Sequence, residues 1–221
     1  MKLKRNNEKK PTRLGEVLSD GLLTLVKWNF LFLITCIPII TIGPAMAALG
    51  FCTNSLVTDN RPQKNAAKLY FNAFKTSFFK ALPIGIYFLL ITILFGAGFF
   101  VYSYLSPENA AYVSMSSLSL VILTLFWGVM AHLYPLMFDF EKTDWENTQV
   151  VMSSKKLREL ITEAAYTALA RMKWTAIALV FSVLFLGVLI LFLPNTLPLL
   201  LTIGFSFVAV AMAFAHTDAD Y

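Results

Sequence analysis

The sequence has few charged residues. Asp, Glu, Lys and Arg make up only 14% of its 221 residues, whereas 57% are hydrophobic and the mean hydropathy is +0.67. A soluble domain has a surface that is a quarter or more charged. The scarcity of charge therefore excludes an ordinary soluble protein and predicts an all-α, polytopic membrane protein. With about 20 residues for each crossing, residues 1–221 form a single membrane domain with room for roughly five to seven spans.

Cysteine and histidine are scarce too, with two of each. Cys36 and Cys52 lie in apolar segments, where buried thiols are expected. His132 and His216 fall in different spans, and the chain has no His-x-x-x-His, Cys-x-x-Cys or Gly-x-x-x-x-Gly-Lys spacing. Such spacings are typical of metal and phosphate sites. We therefore expect no enzyme, no catalytic residues, no metal and no cofactor.

The net charge of +5 invites a nucleic-acid hypothesis. The Lys and Arg residues flank apolar segments, however, and do not line an aromatic-rich soluble surface. The partner that this charge predicts is a lipid bilayer with anionic headgroups, and no nucleic acid is expected.

Two prolines and a glycine interrupt the apolar run between residues 37 and 48. Proline lacks the amide donor that a helix interior needs, so Pro38 is expected to kink a helix. Gly43-Pro44 is expected to end one helix and begin the next. The predicted structural turn comprises Pro38, Thr41, Gly43, Pro44 and Ala45.

After this turn, small or short polar residues recur at spacings of four, three and four. These spacings place them on one face of the second helix and predict close helix packing. The residues of this face are Gly43, Ala47, Gly50 and Asn54.

The apolar runs predict about six transmembrane helices in three hairpins, after a basic tail at residues 1–20. The second run is short for a crossing; if it does not cross, the basic residues between 59 and 80 lie on the outer side. The expected spans are residues 21–42, 44–58, 81–105, 112–138, 174–193 and 198–215.

Two further segments are predicted to be amphipathic helices, cytosolic or at the interface. Between residues 64 and 80, one helical face carries Lys64, Lys68 and Lys75, a pattern typical of docking to lipid or to a partner. A plain solvated connector is the alternative. In the polar segment 139–172, Thr143-x-x-Glu146 has the pattern of a capping box. The second amphipathic helix of this segment is predicted from an apolar stripe, with Lys155 and Glu159 paired four residues apart. The stripe comprises Leu157, Leu160, Ile161, Ala164, Ala168 and Met172.

All 18 Lys and Arg residues fall on one side of this arrangement: in the tail, at Lys27, between residues 59 and 80, or between residues 139 and 173. Basic residues are enriched on the cytosolic side of membrane proteins. Both termini are therefore expected in the cytosol.

Three polar residues within the spans are candidates for a ligand or proton site: His132, Tyr134 and Asn29. A polar group inside a span usually faces the bundle or water and is a functional candidate by default. The alternative for His132 is a neutral histidine whose hydrogen bonds are made by a neighbouring helix.

Several stretches together resemble the YesL-like family of bacterial integral membrane proteins. They are Asn29-Phe30-Leu31-Phe32-Leu33, Pro38-Ile39-Ile40-Thr41-Ile42-Gly43-Pro44-Ala45, Ala47-Ala48-Leu49, Phe71-Asn72-Ala73-Phe74-Lys75 and Leu133-Tyr134-Pro135-Leu136. Members of the family are often found beside carbohydrate uptake and polysaccharide-degradation systems. The resemblance therefore implies a sugar-related role in the bacterial cytoplasmic membrane without assigning an activity.

Two functions remain. The first is an accessory or regulatory membrane protein of carbohydrate uptake or utilisation, with subunits of an ABC uptake system as partners. The alternative is a small-solute transporter with a path near the kinked first hairpin, between Pro38 and His132. The expected spans contain no carboxylate to bind a coupling ion, and this favours the accessory role.

Overall fold

The computed structural model describes residues 14–59, 65–105, 109–192 and 195–217. Over these residues the protein is built from helices, without a regular strand. The helices are α1 (Leu14–Thr35), α2 (Ile42–Asp59), α3 (Ala66–Leu105), α4 (Ala110–Leu136), α5 (Leu157–Ala170), α6 (Met172–Leu191), α7 (Leu197–Leu199) and α8 (Phe205–Thr217). A 3₁₀ turn (Ile39–Thr41) precedes α2, and a π turn (Leu200–Gly204) joins α7 to α8. The all-α prediction is confirmed.

Within the described ranges, five helical stretches are long and apolar enough to cross a membrane: Ile39–Thr58, Ala66–Tyr104, Ala110–Leu136, Met172–Leu189 and Leu197–His216. The chain is therefore a polytopic membrane protein. Of the predicted docking residues, Lys64 lies outside the described part of the chain, as does most of the basic tail.

The first predicted span, residues 21–42, is wrong in its extent. Helix α1 ends at Thr35, and its apolar part, Gly21–Thr35, is about 22 Å long, shorter than the roughly 30 Å of a bilayer core. Pro38 has no amide hydrogen to continue the helix. The hydroxyl of Thr41 closes the turn by donating to the carbonyls of Thr35 and Pro38 at 2.5 and 2.6 Å.

The division of residues 64–105 into an amphipathic helix and a separate span is also wrong. Helix α3 runs unbroken for 40 residues, about 60 Å, and Pro83 lies in its interior and not in a first turn. Nothing between Ala66 and Leu82 ends a helix. Pro83 removes one hydrogen bond and crowds the carbonyl four residues before it, but α3 continues through it.

The helix start predicted at Thr143 does not form. The segment folds back on itself instead, and Asp144 and Gln149 exchange two backbone hydrogen bonds of 3.0 and 2.9 Å. The hydroxyl of Thr143 donates to the carbonyl of Asp139, and the amide of Glu146 donates to the Asp144 carboxylate. The amphipathic helix predicted from the apolar stripe does form, as α5 (Leu157–Ala170), although Lys155 pairs with Glu163 and not with Glu159.

Helix α2 is the centre of the fold. Most residues of α2 are buried, whereas most residues in the apolar part of α3 are not. The core around it includes Trp28, Tyr70 and Leu133, and the rings of Phe138 and Trp145 lie 4.6 and 5.7 Å from that of Phe51. Protein therefore surrounds α2, whereas the other long helices expose apolar surface.

The core stops at Gly85 on α3 and at Gly128 on α4. Among the residues described between these two, Ser116 is the one that is buried. The two helices pair along this length, with the Trp127 indole donating to the Thr92 hydroxyl at 3.1 Å and the rings of Tyr102 and Tyr112 stacked. The exposed apolar surface of this hairpin is suited to contact with lipid.

Candidate functional site

A polar cluster joins three membrane-spanning helices, and we call His132, Thr175 and His216 the histidine node. His132 on α4 is 1% exposed. Its Nε2 lies 2.9 Å from Thr175 Oγ1 on α6, and its Nδ1 lies 3.0 Å from His216 Nδ1 on α8. The node therefore links α4, α6 and α8 through side chains alone.

Two neutral imidazoles account for this geometry. If Nδ1–H of His132 donates to His216, Nε2 of His132 accepts the hydroxyl hydrogen of Thr175; in the other tautomer both bonds reverse. One hydrogen lies between the two facing nitrogens in either case. The node could pass a proton between α4 and α8, or exchange its internal bonds for those of a small polar ligand.

Charged groups approach the node from the junction of α5 and α6. Arg171, the residue between the two helices, interacts electrostatically with both histidines, and Glu163 on α5 interacts with His216. Arg171 Nη1 is buried without a hydrogen-bond partner among the described atoms. Among the described residues, no group of three or more His, Cys, Asp or Glu side chains converges.

Tyr134 and Asn29, which were grouped with His132 on sequence grounds, lie elsewhere. Tyr134 is buried on the side of α4 that faces α2, where a Cβ on Gly50 would lie 3.5 Å from that of Tyr134. The Tyr134 hydroxyl has no partner within the described structure. The three residues therefore do not form one site.

Asn29 is fully buried and holds the π turn between α7 and α8. Its Nδ2 donates to the carbonyls of Leu201 and Leu200 at 2.7 and 3.2 Å. Its Oδ1 accepts the amides of Phe205 and Ser206 at 2.9 and 3.0 Å. The carboxamide is inserted into the main-chain ladder, a recognised cause of such helix distortions. Asn29 therefore has a structural role.

Of the predicted turn residues, Pro38 and Thr41 lie between α1 and α2, whereas Gly43, Pro44 and Ala45 lie in the first turn of α2. The expectation that Gly43-Pro44 separates two helices is therefore wrong, and Gly43 instead brings two backbones together. A Cβ built on Gly43 would lie 2.3 Å from the Ala81 carbonyl oxygen and 2.7 Å from the Gly85 Cα. A Cβ on Gly85 would lie 2.4 Å from the Gly43 Cα. Beside this contact, the Tyr70 hydroxyl lies 2.8 Å from that of Thr35 and 3.4 Å from the Ala45 carbonyl. Helix α2 and α3 can pack this closely only because both positions lack a side chain.

The small-residue face of α2 does not meet a single neighbour. Gly43 contacts α3, whereas Gly50 faces α4, where an added Cβ would meet Tyr134 and Pro135 at ordinary van der Waals distances. Ala47 and Asn54 are buried, and Asn54 Oδ1 has no hydrogen-bond partner in the described part of the molecule. The face thus packs against two helices.

The predicted docking residues Lys68 and Lys75 are exposed on the first half of α3. Their neighbour Asn72 is engaged instead, because its Nδ2 donates to the Thr148 carbonyl at 2.7 Å. Lys80 likewise donates to the Ser153 carbonyl at 3.0 Å. The segment 139–156 therefore covers one edge of this half of α3 and leaves Lys68 and Lys75 free for other contacts.

Sequence reasoning missed Thr175, His216 and Arg171 as neighbours of His132. A signal was present, since His132, Thr175 and His216 each lie near an end of a predicted span that the charge distribution assigns to the same side. Polar side chains at one depth of a helical bundle find one another because no water is available to them.

A family model described as "Protein of unknown function, DUF624" matches residues 25–99, about a third of the chain. The matched region contains the Gly43–Gly85 contact, Asn29 and the first half of α3, which carries Lys68 and Lys75. It does not include the histidine node. No curated protein and no solved structure gives a significant match.

Proposed function

We propose that the protein is an accessory or regulatory subunit of carbohydrate uptake or utilisation in the bacterial cytoplasmic membrane, acting by docking and without chemistry of its own. The observation that carries this proposal is the length of α3. At about 60 Å, the helix is twice the thickness of a bilayer core. About half of it must therefore lie outside the hydrocarbon.

The half outside the hydrocarbon is the first one. Residues 81–105 contain no charged side chain and are long enough to span, whereas the first half carries Lys68, Lys75 and Lys80. On the positive-inside rule this basic half is cytosolic, and the C-terminus, four crossings further along the chain, lies on the same side. The N-terminus lies on that side too only if α1 also crosses. Lys68 and Lys75 are exposed there, and Phe79, 88% exposed, adds an apolar contact. A basic and apolar surface of this kind suits an acidic surface of a permease or ATPase subunit.

The carbohydrate context rests on the resemblance to YesL-like proteins. Four of the five stretches that carry it lie within the region that the DUF624 model matches: residues 29–33, 38–45, 47–49 and 71–75. The last of these contains Lys75 itself, so the resemblance includes part of the proposed docking surface.

Charge reversal tests the docking surface. The variant Lys68→Glu/Lys75→Glu should lose copurification with permease or ATPase subunits from native membranes and should reproduce the sugar-growth defect of a deletion strain. The matched control is Lys142→Glu, because Lys142 is an exposed cation on a different segment, 2.8 Å from Asp139. Full copurification of the double variant would contradict the proposal.

Transport of a small solute is the second candidate, and the histidine node favours it because it places polar groups within spanning helices. The purified protein should then move solute into liposomes, and His132→Ala should abolish that flux. The accessory role predicts no flux from the isolated protein. Robust uptake by it would overturn the accessory role in favour of transport.

A further inference from the structure

Helix α5 is held at the membrane boundary by its connections. A single residue, Arg171, separates it from the start of α6, which is a spanning helix. Its buried residues Leu160, Ala164 and Ala168 face the bundle. A helix fixed next to the ends of spanning helices lies at the depth of the lipid headgroups.

The apolar sector of α5 is wider than the bundle covers. Next to the buried stripe stands an exposed one formed by Leu157, Ile161 and Leu169, which are 46%, 42% and 66% exposed. Because successive helical residues are about 100° apart, Ile161 and Leu169 stand beside Leu160 and Ala168 and extend the same apolar surface. The stripe continues into the exposed Met172 and Ile177 of α6. The uncovered surface is thus continuous with the lipid-facing surface of a spanning helix.

The charges of this region suit a bilayer surface. Lys156, Arg158 and Lys173 are exposed cations, and the Glu163 carboxylate is paired with Lys155 at 2.6 Å. Glu159 is occupied at the helix start, where it accepts the Lys156 amide. Long cationic side chains beside an apolar stripe can place their charged ends among lipid phosphates while their stems stay in the apolar layer.

We propose that α5 is an in-plane membrane helix, with Leu157, Ile161 and Leu169 inserted among the acyl chains and Lys156, Arg158 and Lys173 at the level of the phosphates. Lipid, and not a protein partner, covers the exposed apolar stripe of α5. This inference is independent of the docking surface on α3.

Accessibility measurements on the full chain test the proposal. Both native cysteines are first changed to Ala, and a single cysteine then replaces Ile161, Leu169 or Ala170. Each variant carries a nitroxide label on its cysteine. The labelled proteins are placed in nanodiscs of three parts phosphatidylcholine to one part phosphatidylglycerol. Ala170 is the matched control, because it is exposed and lies half a turn around the helix from Ile161. Nitroxide labels at positions 161 and 169 should collide several-fold more often with oxygen, which partitions into lipid, than with a water-soluble nickel chelate. Position 170 should show the reverse.

Two outcomes would overturn the proposal. Preferential nickel access at positions 161 and 169 would place the stripe in water, and protection from both reagents would mean that protein covers it. Should the cysteine-free background fail to purify as a folded protein, Ile161→Trp in the native background replaces it. Brominated acyl chains should then quench the added fluorescence, and absence of quenching would refute insertion.

Discussion

Replacing Asn29 by Leu removes a side chain of α1 that hydrogen-bonds both to the π turn and to the start of α8. Leucine has nearly the same size and fills the same volume, so little packing is lost. The change leaves the Phe205 and Ser206 amides without their acceptor and the Leu201 carbonyl without its closest donor. These groups are buried among apolar helices, where water does not replace the lost bonds.

The expected cost follows from three well-formed hydrogen bonds of 2.7, 2.9 and 3.0 Å. At about 1 kcal/mol for an average intramolecular bond, or about 0.6 kcal/mol between membrane helices, they contribute roughly 2 to 3 kcal/mol. Relaxation of the π turn to an α-helix would re-form part of the ladder, whereas any group left unpartnered adds to the loss. We expect Asn29→Leu to lower the free energy of unfolding by about 2 to 4 kcal/mol, a large part of a typical total of about 5 to 15 kcal/mol.

The assay is reversible unfolding of purified protein in mixed micelles, with Asn65→Leu as the control because Asn65 is exposed at the start of α3. Asn29→Asp adds a second test. A neutral carboxyl can accept from the Phe205 amide and donate to Leu201, whereas an ionised one cannot donate, so this variant should regain stability as the pH is lowered. If Asn29→Leu unfolded within about 0.5 kcal/mol of the parent, the inserted carboxamide would not have the structural role assigned to it.

Three further predictions concern packing, the histidine node and topology. Gly43→Val should destabilise the protein by about 2 to 4 kcal/mol in the same assay, since the added Cβ meets the backbone of α3, whereas Gly50→Ala should cost less than about 1 kcal/mol. Equal effects would contradict the close approach of α2 and α3 at Gly43. His132→Leu and His216→Leu should each cost about 1 to 3 kcal/mol, and the double variant about 1 kcal/mol less than their sum, while strict additivity would show that the two rings are not coupled. A cysteine at Asn109 should react with an impermeant thiol reagent from outside intact cells and one at Asn65 should not, because a single crossing by α3 separates them; labelling of position 65 would reverse the assigned orientation.

The sequence predicted the elements that depend on local chemistry. The scarcity of charge was enough for the membrane class, and Pro38 was enough to locate the first turn, because a missing amide acts on the residues beside it. Gly43 and Pro44, assigned to the same turn, lie inside α2. The extent of α1 was harder, since the apolar run continues through Pro38 to Ile42 while the helix stops at Thr35. Hydropathy does not distinguish a helix from an apolar turn.

The errors and omissions arise where distant residues meet. A proline suggested a helix start at residue 81, but contacts on both sides of Pro83 keep α3 continuous, and tertiary packing overrides a single weak position. At Thr143, a backbone pairing between Asp144 and Gln149 forms in place of the capping box that the sequence pattern indicated. The partners of Asn29, some 170 positions away in the chain, could not be inferred from one sequence, because any buried amide or carbonyl would have satisfied the same side chain.

The contact between Gly43 and Gly85 also constrains how the sequence can diverge. Each glycine is opposed by the backbone of the other's helix, so no substitution at one position makes room for a side chain at the other. Most packed pairs drift by exchanging a large and a small residue in compensating steps, and that route is closed here. The two positions should therefore remain glycine together in descendants that keep this helix crossing. Where a lineage has lost one of them, the distance between α2 and α3 must have widened, and the other position is then free to accept alanine or serine.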